Sequence, residues 1–230
     1  MLNAYIVKID VNLEKEHFNR LLVYVSDEKK GQIHRFYHFE DSQRALIGNV
    51  LARYAICKSL HIKNTDIVLG KNQYGKPLLL NPSEIHFNIS HSGSWVVCAA
   101  SNSPVGIDVE VIKPIDFEIA KRFFSKDEYT ALMNQPSDER QAYFYKIWTI
   151  KESYIKAEGK GLSIPLDSFT VNIEDNSIQL NSDKTFIKNS VYHSSLDDNS
   201  VYAICAENKE PHQKTVFTTR QFFDEATLVL

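Results

Sequence analysis

Cysteine is scarce in this sequence, and its distribution excludes a disulfide framework. The 230 residues include only Cys57, Cys98 and Cys205, which are far apart and each lie in an apolar segment. Disulfide-stabilised domains and cysteine metal sites use even sets of cysteines at short spacings. We therefore predict three buried free thiols in a reducing compartment, without a metal or redox role.

Long apolar runs and an excess of basic residues are also absent. Trp95 to Ala100 is typical of the longest apolar runs and falls far short of the roughly 18 residues of a membrane helix. Met1 to Ala4 lacks the basic and apolar regions of a signal peptide. The formal net charge of −3 argues against a broad nucleic-acid interface. We expect a cytoplasmic protein without a membrane or nucleic-acid partner.

The order of the predicted elements indicates an α+β protein made of two similar halves. Trp95 to Ala99 closes the first half with a buried strand, as Tyr202 to Ala206 closes the second. The polar break Asn102-Ser103-Pro104 is the best boundary between them. We therefore predict a duplicated α+β unit with halves at 1–104 and 105–230 and a ligand cleft between the copies.

Hydrophobic spacing predicts the main elements of each half. A polar helix is expected from Glu14 to Val25, ending near Ser26, and a second helix begins with an N-cap at Asp41-Ser42. A hairpin is expected over 85–100, and strands of an antiparallel meander over 166–206. The tail from Gln213 is only weakly informative.

Three carboxylates in two separate motifs carry the strongest chemical signal. In the predicted strand that begins at Gly106, period-2 geometry places Asp108 and Glu110 on one face. A later helix carries Glu152 with Lys156 one turn beyond it. Three carboxylates around one point need a cation between them, and an all-oxygen ligand set favours Mg²⁺.

Phosphoryl-group chemistry would complete such a magnesium site, because Mg²⁺ binds a few carboxylates together with phosphate oxygens. Lys29, Arg44, Lys76 and His91 would then neutralise the phosphates of a diphosphate substrate. The alternative is that Lys29 lies on a solvated helix face and that Arg44 is an ordinary surface residue.

Two other readings compete for the polar residues. Ser90 and His91 are adjacent on a predicted strand, so they face opposite sides and do not form a hydrolase pair, and no G-x-S-x-G motif is present. In a non-catalytic protein, Asp108, Glu110 and Glu152 would simply be surface acids. Either motif seen alone would favour that interpretation.

Two longer motifs and three shorter ones follow one another along the chain. The longer pair is Gly106-Ile107-Asp108-Val109-Glu110 followed by Trp148-Thr149-Ile150-Lys151-Glu152-Ser153-Tyr154-Ile155-Lys156. The shorter motifs are Phe87-Asn88-Ile89-Ser90-His91-Ser92, Tyr74-Gly75-Lys76-Pro77 and Arg35-Phe36-Tyr37. Together they resemble the motifs of the 4′-phosphopantetheinyl transferases, most closely the Sfp type that activates surfactin synthetase and related peptide synthetases.

The resemblance implies a pseudo-two-fold monomer that moves the phosphopantetheine arm of coenzyme A to a serine of an apo carrier protein, releasing 3′,5′-ADP, as in antibiotic-producing nonribosomal peptide synthesis. Its carried-over residues fall into three groups. Asp108, Glu110 and Glu152 match the Mg²⁺ ligands, Glu152 or a metal-linked water takes the serine proton, and Lys156 assists the leaving phosphate. Four residues match the contacts that the family makes with the phosphates of coenzyme A: Lys29, Arg44, Lys76 and His91. Ser90, Tyr74 and Gly75 match positions that line the nucleotide.

Two positions qualify the resemblance. Relatives carry a second lysine shortly after the one that matches Lys29, and this chain has Gln32 there. Binding of the 3′-phosphate of coenzyme A is therefore expected to be weaker, or to be shared with Lys30. Glu128 matches a position linked to the active site, but its spacing from Ser125 equally predicts a capping box. A non-catalytic relative that binds coenzyme A is the alternative function.

Overall fold

A computed structural model describes residues 1–81, 84–174, 177–182, 185–207 and 213–230. In chain order its strands and α-helices are β1 (Leu2–Lys8), α1 (Lys15–Leu22), α2 (Asp27–Ile33), α3 (Phe39–Leu60), β2 (Val68–Lys71), β3 (Pro77–Asn81), β4 (His86–Ser92), β5 (Trp95–Ser101), β6 (Val105–Val111), α4 (Glu118–Phe123), α5 (Lys126–Met133), α6 (Arg140–Glu158), β7 (Thr170–Glu174), β8 (Ser177–Ser182), β9 (Thr185–Ile187), β10 (Ser190–Asp197), β11 (Ser200–Ala206), β12 (Gln213–Thr218) and α7 (Thr219–Val229). This mixture of helices and largely antiparallel sheets confirms the α+β class.

The described residues form two compact units, and their division differs from the predicted one. The first unit contains residues 1–71 and 77–102 together with the C-terminal strand and helix, whereas the second contains 72–76 and 103–207. The chain tail joins the first unit because β12 pairs in parallel with β1. Strands β5 and β6, which flank Pro104, lie in different units, whereas the tail from Gln213, which carried no clear signal in the sequence, lies in the first.

The first unit is organised by the long helix α3 on a four-stranded sheet of order β12-β1-β5-β4. The predicted apolar stripe of α3, from Leu46 to Ala55, is buried against β4 and β5. Helices α1 and α7 pack on α3, and β2 and β3 form a separate hairpin. The predicted hairpin over 85–100 is confirmed as β4 and β5 joined through Gly93.

Two predicted helix ends in the first unit are wrong. Helix α1 ends at Leu22, and Ser26 instead caps α2, because its hydroxyl oxygen accepts a hydrogen bond from the backbone N–H of Lys29. Helix α3 begins at Phe39 rather than after Asp41. The Asp41 carboxylate does not cap the helix and instead binds Arg44 on the next turn.

The second unit places the long helix α6 against a three-stranded sheet of order β10-β11-β6. A second sheet, β7-β8-β9, packs beside α5 and α6, so the predicted single meander is in fact two sheets. The chain from Leu166 to Ser168 is a 3₁₀ turn rather than the start of a strand. Gly159 ends α6 in the left-handed conformation, which glycine adopts without steric cost.

The cysteine prediction is confirmed for the thiols themselves. Cys57, Cys98 and Cys205 are free and buried. Burial raises the pKa of Cys57 to about 11 and that of Cys205 to about 12, so neither is a reactive thiolate near neutral pH. None of the helices in the described part of the chain has the length and apolarity to cross a membrane.

Close packing of α6 on β6 depends on Gly106. A Cβ atom at this position would lie closer than 3.0 Å to backbone atoms of Ser153, Lys156 and Ala157. Backbone cannot give way as a flexible side chain can, so only glycine allows the helix to approach the strand this closely. The approach also sets the distance between the acidic side chains of β6 and those of α6.

We expect Gly106→Ala to destabilise the protein by about 1–3 kcal/mol, because the new methyl group pushes α6 away from β6. The urea midpoint of unfolding would fall accordingly. Gly31→Ala is the matched control, because a Cβ there meets nothing within 4 Å in the middle of α2. That variant should be neutral or stabilised by about 0.5–1 kcal/mol. Equal midpoints for the two variants would contradict the packing argument.

Candidate active site

The predicted acidic motif lies on the face of β6 that meets α6. Gly106, Asp108 and Glu110 alternate along the strand, and the packing of α6 at Gly106 shows which face they share. Antiparallel pairing with β11 fixes the register, with Asp108 opposite Ala203. The strand thus presents two carboxylates to one side of a long helix.

Lys156 on α6 reaches the first of these carboxylates. Its Nζ donates a hydrogen bond to Asp108 Oδ1 at 2.5 Å. The Asp108 side chain is only 4% exposed and that of Lys156 is 26% exposed. Ion pairs that are largely removed from water keep a defined geometry, so this pair holds the acid and the amine at one point.

Glu152 lies one helical turn before Lys156 and belongs to the same electrostatic group. Burial raises the pKa of Glu152, and the charges of Asp108 and Glu110 raise it further, while Lys156 opposes the shift. The three carboxylates predicted from two separate motifs therefore act on one another in the folded second unit. The three carboxylates together carry more negative charge than the ammonium group of Lys156 balances.

The donor set suits a hard divalent ion, although the side chains do not form a finished site. Among the residues that the structure describes, no three His, Cys, Asp or Glu side chains are grouped closely enough to hold a metal ion. Burial and the charges of Asp108 and Glu110 raise the pKa of Glu152, so the three carboxylates repel one another. Mg²⁺ prefers carboxylate oxygens as ligands, and binding it would relieve that repulsion. Asp108, Glu110 and Glu152 would hold the ion, and this assignment stays a prediction.

Glu128 has a structural role that the sequence only half predicts. The capping box is confirmed, because its Oε2 accepts from the Ser125 N–H at 2.7 Å and its backbone N–H donates to the Ser125 hydroxyl. Its Oε1 accepts from the Val171 N–H and pairs with Lys151 Nζ at 2.8 Å. Both oxygens are thus engaged inside the protein, which favours support of the fold over catalysis.

Lys151 is fully buried, and this is not predicted from the sequence. Its ammonium group donates to the carbonyls of Leu166 and Phe169 as well as to Glu128, so all three N–H donors are used. Burial lowers the pKa of Lys151 and raises that of Glu128, and each charge opposes the shift in the other. The signal was a lysine within the apolar stripe of α6, but its partner lies 23 positions away in sequence.

The predicted phosphate contacts of the first unit occupy different environments. Lys29 lines a cavity beside β2. Arg44 donates to the Gly93 carbonyl at 3.0 Å and to Asp41, so it joins α3 to the β4–β5 turn. On β4, Ser90 is buried and His91 is exposed, so the two adjacent side chains lie on opposite faces of the strand.

Lys76 belongs to the second unit, where its amine binds the backbone. Its Nζ donates to the carbonyls of Val105 and Ala157, and burial lowers its pKa to about 8. In the same turn Gly75 adopts φ +88° and Tyr74 is about half exposed. Lys76 therefore stabilises the C-terminal end of α6, and one remaining N–H is available for the predicted phosphate contact.

Comparison with known proteins identifies the family. Residues 104–206 match the 4′-phosphopantetheinyl transferase superfamily, and residues 12–103 match the N-terminal region of 4′-phosphopantetheinyl transferases. The 4′-phosphopantetheinyl transferase Sfp of Bacillus subtilis (strain 168) is 48% identical over 172 residues, which cover 75% of this chain and 77% of that protein. The chain therefore belongs to the 4′-phosphopantetheinyl transferases, and the resemblance to the Sfp type is confirmed.

More distant relatives agree with this assignment. The 4′-phosphopantetheinyl transferase gsp of Aneurinibacillus migulanus is 44% identical over 75% of this chain and 72% of its own length. The 4′-phosphopantetheinyl transferase HetI of Nostoc sp. is 30% identical over 70% of each chain. The similarity thus extends well beyond the two signature motifs.

We expect Glu152→Gln to stabilise the metal-free protein and to abolish its response to Mg²⁺. Because the native pKa of Glu152 lies above its ordinary value of 4.5, the native state binds protons more tightly, and stability falls as pH rises through that native pKa. The neutral amide removes this penalty. In thermal unfolding at pH 7, Mg²⁺ at about 100-fold above Kd should raise the Tm of the wild type by roughly 5–10 °C.

Glu158→Gln serves as the control, because Glu158 is exposed and lies on the same helix. It should keep the wild-type response to Mg²⁺. A magnesium response that survives in Glu152→Gln would remove Glu152 from the metal site.

We expect Glu128→Ala to unfold the protein more easily rather than to act on the chemistry directly. Removing one partner of a buried ion pair typically costs about 3–5 kcal/mol, because the remaining charge is left unpaired. Urea unfolding measures this loss, and Lys121→Ala is the control. Lys121 pairs with Glu118 at 3.7 Å with side chains 64% and 70% exposed, so its loss should be within about 1 kcal/mol. Full stability with lost activity in Glu128→Ala would instead make it a catalytic residue.

Proposed function

We propose that this protein transfers the 4′-phosphopantetheine arm of coenzyme A to a serine hydroxyl of an apo carrier protein. Membership of the 4′-phosphopantetheinyl transferases supports the group that is moved. The observation that carries the proposal for this chain is the Asp108–Lys156 pair beside Glu152. Coenzyme A is the donor, and a peptidyl or acyl carrier domain is the acceptor.

The transfer forms one P–O bond and breaks another. The carrier serine oxygen attacks the phosphorus that bears the pantetheine arm, the diphosphate bridge breaks, and 3′,5′-ADP leaves with the bridging oxygen. Glu152, or a water held by the metal ion, would accept the serine proton as the general base. General base catalysis of this kind contributes about 10²–10⁴-fold.

Lys156 would stabilise the leaving diphosphate oxygen with its ammonium charge. Its pairing with Asp108 holds the amine at the acidic group, so that it need not be ordered when substrate binds. A Mg²⁺ ion on Asp108, Glu110 and Glu152 would neutralise the diphosphate and make it easier to attack. Arg44, Lys76 and His91 are proposed contacts of coenzyme A, with Ser90, Tyr74 and Gly75 near the nucleotide. We propose that the protein works as a cytoplasmic monomer.

The decisive experiment incubates the protein with coenzyme A, Mg²⁺ and an apo carrier domain and measures the mass of the carrier. We expect the carrier to gain one phosphopantetheine, and we expect EDTA to stop that gain. Lys156→Ala should lower kcat by about 10²-fold with little change in the KM for the carrier, because the lysine acts on the leaving group.

Lys160→Ala is the matched control, since Lys160 is exposed just beyond the end of α6. It should leave kcat unchanged, and circular dichroism should show that both variants remain folded. Binding of coenzyme A without any mass gain would reject the transferase in favour of a non-catalytic relative. A gain that persists in EDTA would reject the metal.

A further inference from the structure

A cavity in the first unit gathers positive charge away from the acidic group. It has a volume of about 560 Å³ and lies between α2, α3 and the β2–β3 hairpin. Three cationic side chains line it: Lys29, Arg53 and Lys71. Neutral polar side chains complete the lining, from Ser26, Gln32 and Asn49. Glu28 is the one acidic residue among the lining residues.

The charge of one lysine of this cavity acts on the other. Neither Lys29 nor Lys71 forms an ion pair among the described residues. Burial lowers the pKa of Lys29, and the charge of Lys71 lowers it further, while Glu28 opposes the shift. The Glu28 carboxylate accepts a hydrogen bond from Gln32 at 3.0 Å rather than from either lysine. The repulsion between the ammonium groups is therefore left for an anion to relieve.

Arg53 supplies a fixed third charge. It is 8% exposed, and its guanidinium donates to the side-chain oxygens of Asn49 and Asn64, both neutral. Burial lowers the pKa of Arg53, but an arginine stays charged at neutral pH. The cavity thus has three positive groups, from α2, α3 and β2, which suit an anion with several oxygens.

Lys30, one of the two alternatives offered for the lysine missing at Gln32, is outside this group of lining residues. Its Nζ binds Asp27 at 2.8 Å on the exposed side of α2, and Lys30 is absent from the cavity lining. Lys71 comes instead from the far side of the cavity, at the end of β2. The hairpin therefore brings to Lys29 the second ammonium that α2 does not provide.

We propose that Lys71 is a phosphate-binding residue that, together with Lys29, takes a phosphate monoester dianion in this cavity. The assignment rests on the proposed function, because coenzyme A carries such a monoester on its ribose. A dianion between the two lysines would replace their repulsion with two charge-assisted hydrogen bonds. Lys71 would then distinguish coenzyme A from its analogue without the ribose phosphate.

Calorimetric titration tests this without requiring turnover. Coenzyme A, 3′-dephospho-coenzyme A and inorganic phosphate are titrated separately into the wild type, Lys71→Ala and Lys30→Ala. We expect Lys71→Ala to weaken coenzyme A binding about tenfold and to leave the dephospho analogue within about twofold. Lys30→Ala should bind both ligands like the wild type, because its amine is already paired with Asp27.

Equal weakening of both nucleotides in Lys71→Ala would overturn the proposal, since the lysine would then not recognise the monoester. Unchanged coenzyme A binding with a loss confined to inorganic phosphate would also overturn it, because the cavity would then be a site for the free anion. Failure of the proposed function is a separate result. A wild type that binds coenzyme A through Lys71 but adds no mass to a carrier would keep this inference and reject the transferase.

Discussion

The contact between the backbone of α6 and Gly106 of β6 determines the chemistry of the second unit. A helix normally stands off a sheet by the length of the side chains between them, but here no side chain intervenes. The same strand face continues with Asp108 and Glu110, so the approach that Gly106 allows brings these acids to Glu152 and Lys156. The close packing of α6 at Gly106 thus also sets how strongly the carboxylates of β6 and α6 repel one another. Gly106 therefore serves to bring the carboxylates of β6 close to α6, and it does not form a turn.

Placing Asp108, Glu110 and Glu152 close together destabilises the metal-free fold, because their charges repel one another. Buried interactions nearby offset this destabilisation. Burial and two neighbouring carboxylates raise the pKa of Glu152, which means that its ionised form opposes folding. The preceding residue, Lys151, is held by Glu128 and two carbonyls, and Lys76 binds the Ala157 carbonyl at the C-terminal end of α6. Rigid support of a strained group is common at functional sites, because the ligand rather than the fold relieves the strain.

Local sequence patterns predicted the elements that depend on short residue spacings. The elements that depend on pairing between distant parts of the chain were not predicted. The acidic alternation of β6, the 125–128 capping box and the β4–β5 hairpin follow from periods of two to four residues, and all are present. Nothing local reveals that the tail from Gln213 pairs in parallel with β1, nor that Ser26 starts a helix rather than ending one. Parallel pairing across the whole chain leaves no turn signal, and a serine between two helical segments suits either end.

Lysines illustrate why a motif alone does not assign a role. Lys76 lies in a motif that resembles a nucleotide contact, yet its amine already binds two backbone carbonyls. Lys151 lies beside Glu152 in sequence, but helical geometry turns it into the core, whereas Lys156 faces Asp108. Lys30 is next to Lys29 in sequence, but its amine is paired with Asp27. Lys71 is far from Lys29 in sequence, yet it lines the same cavity. The role of each lysine is therefore set by its tertiary contacts, which a local sequence motif does not reveal.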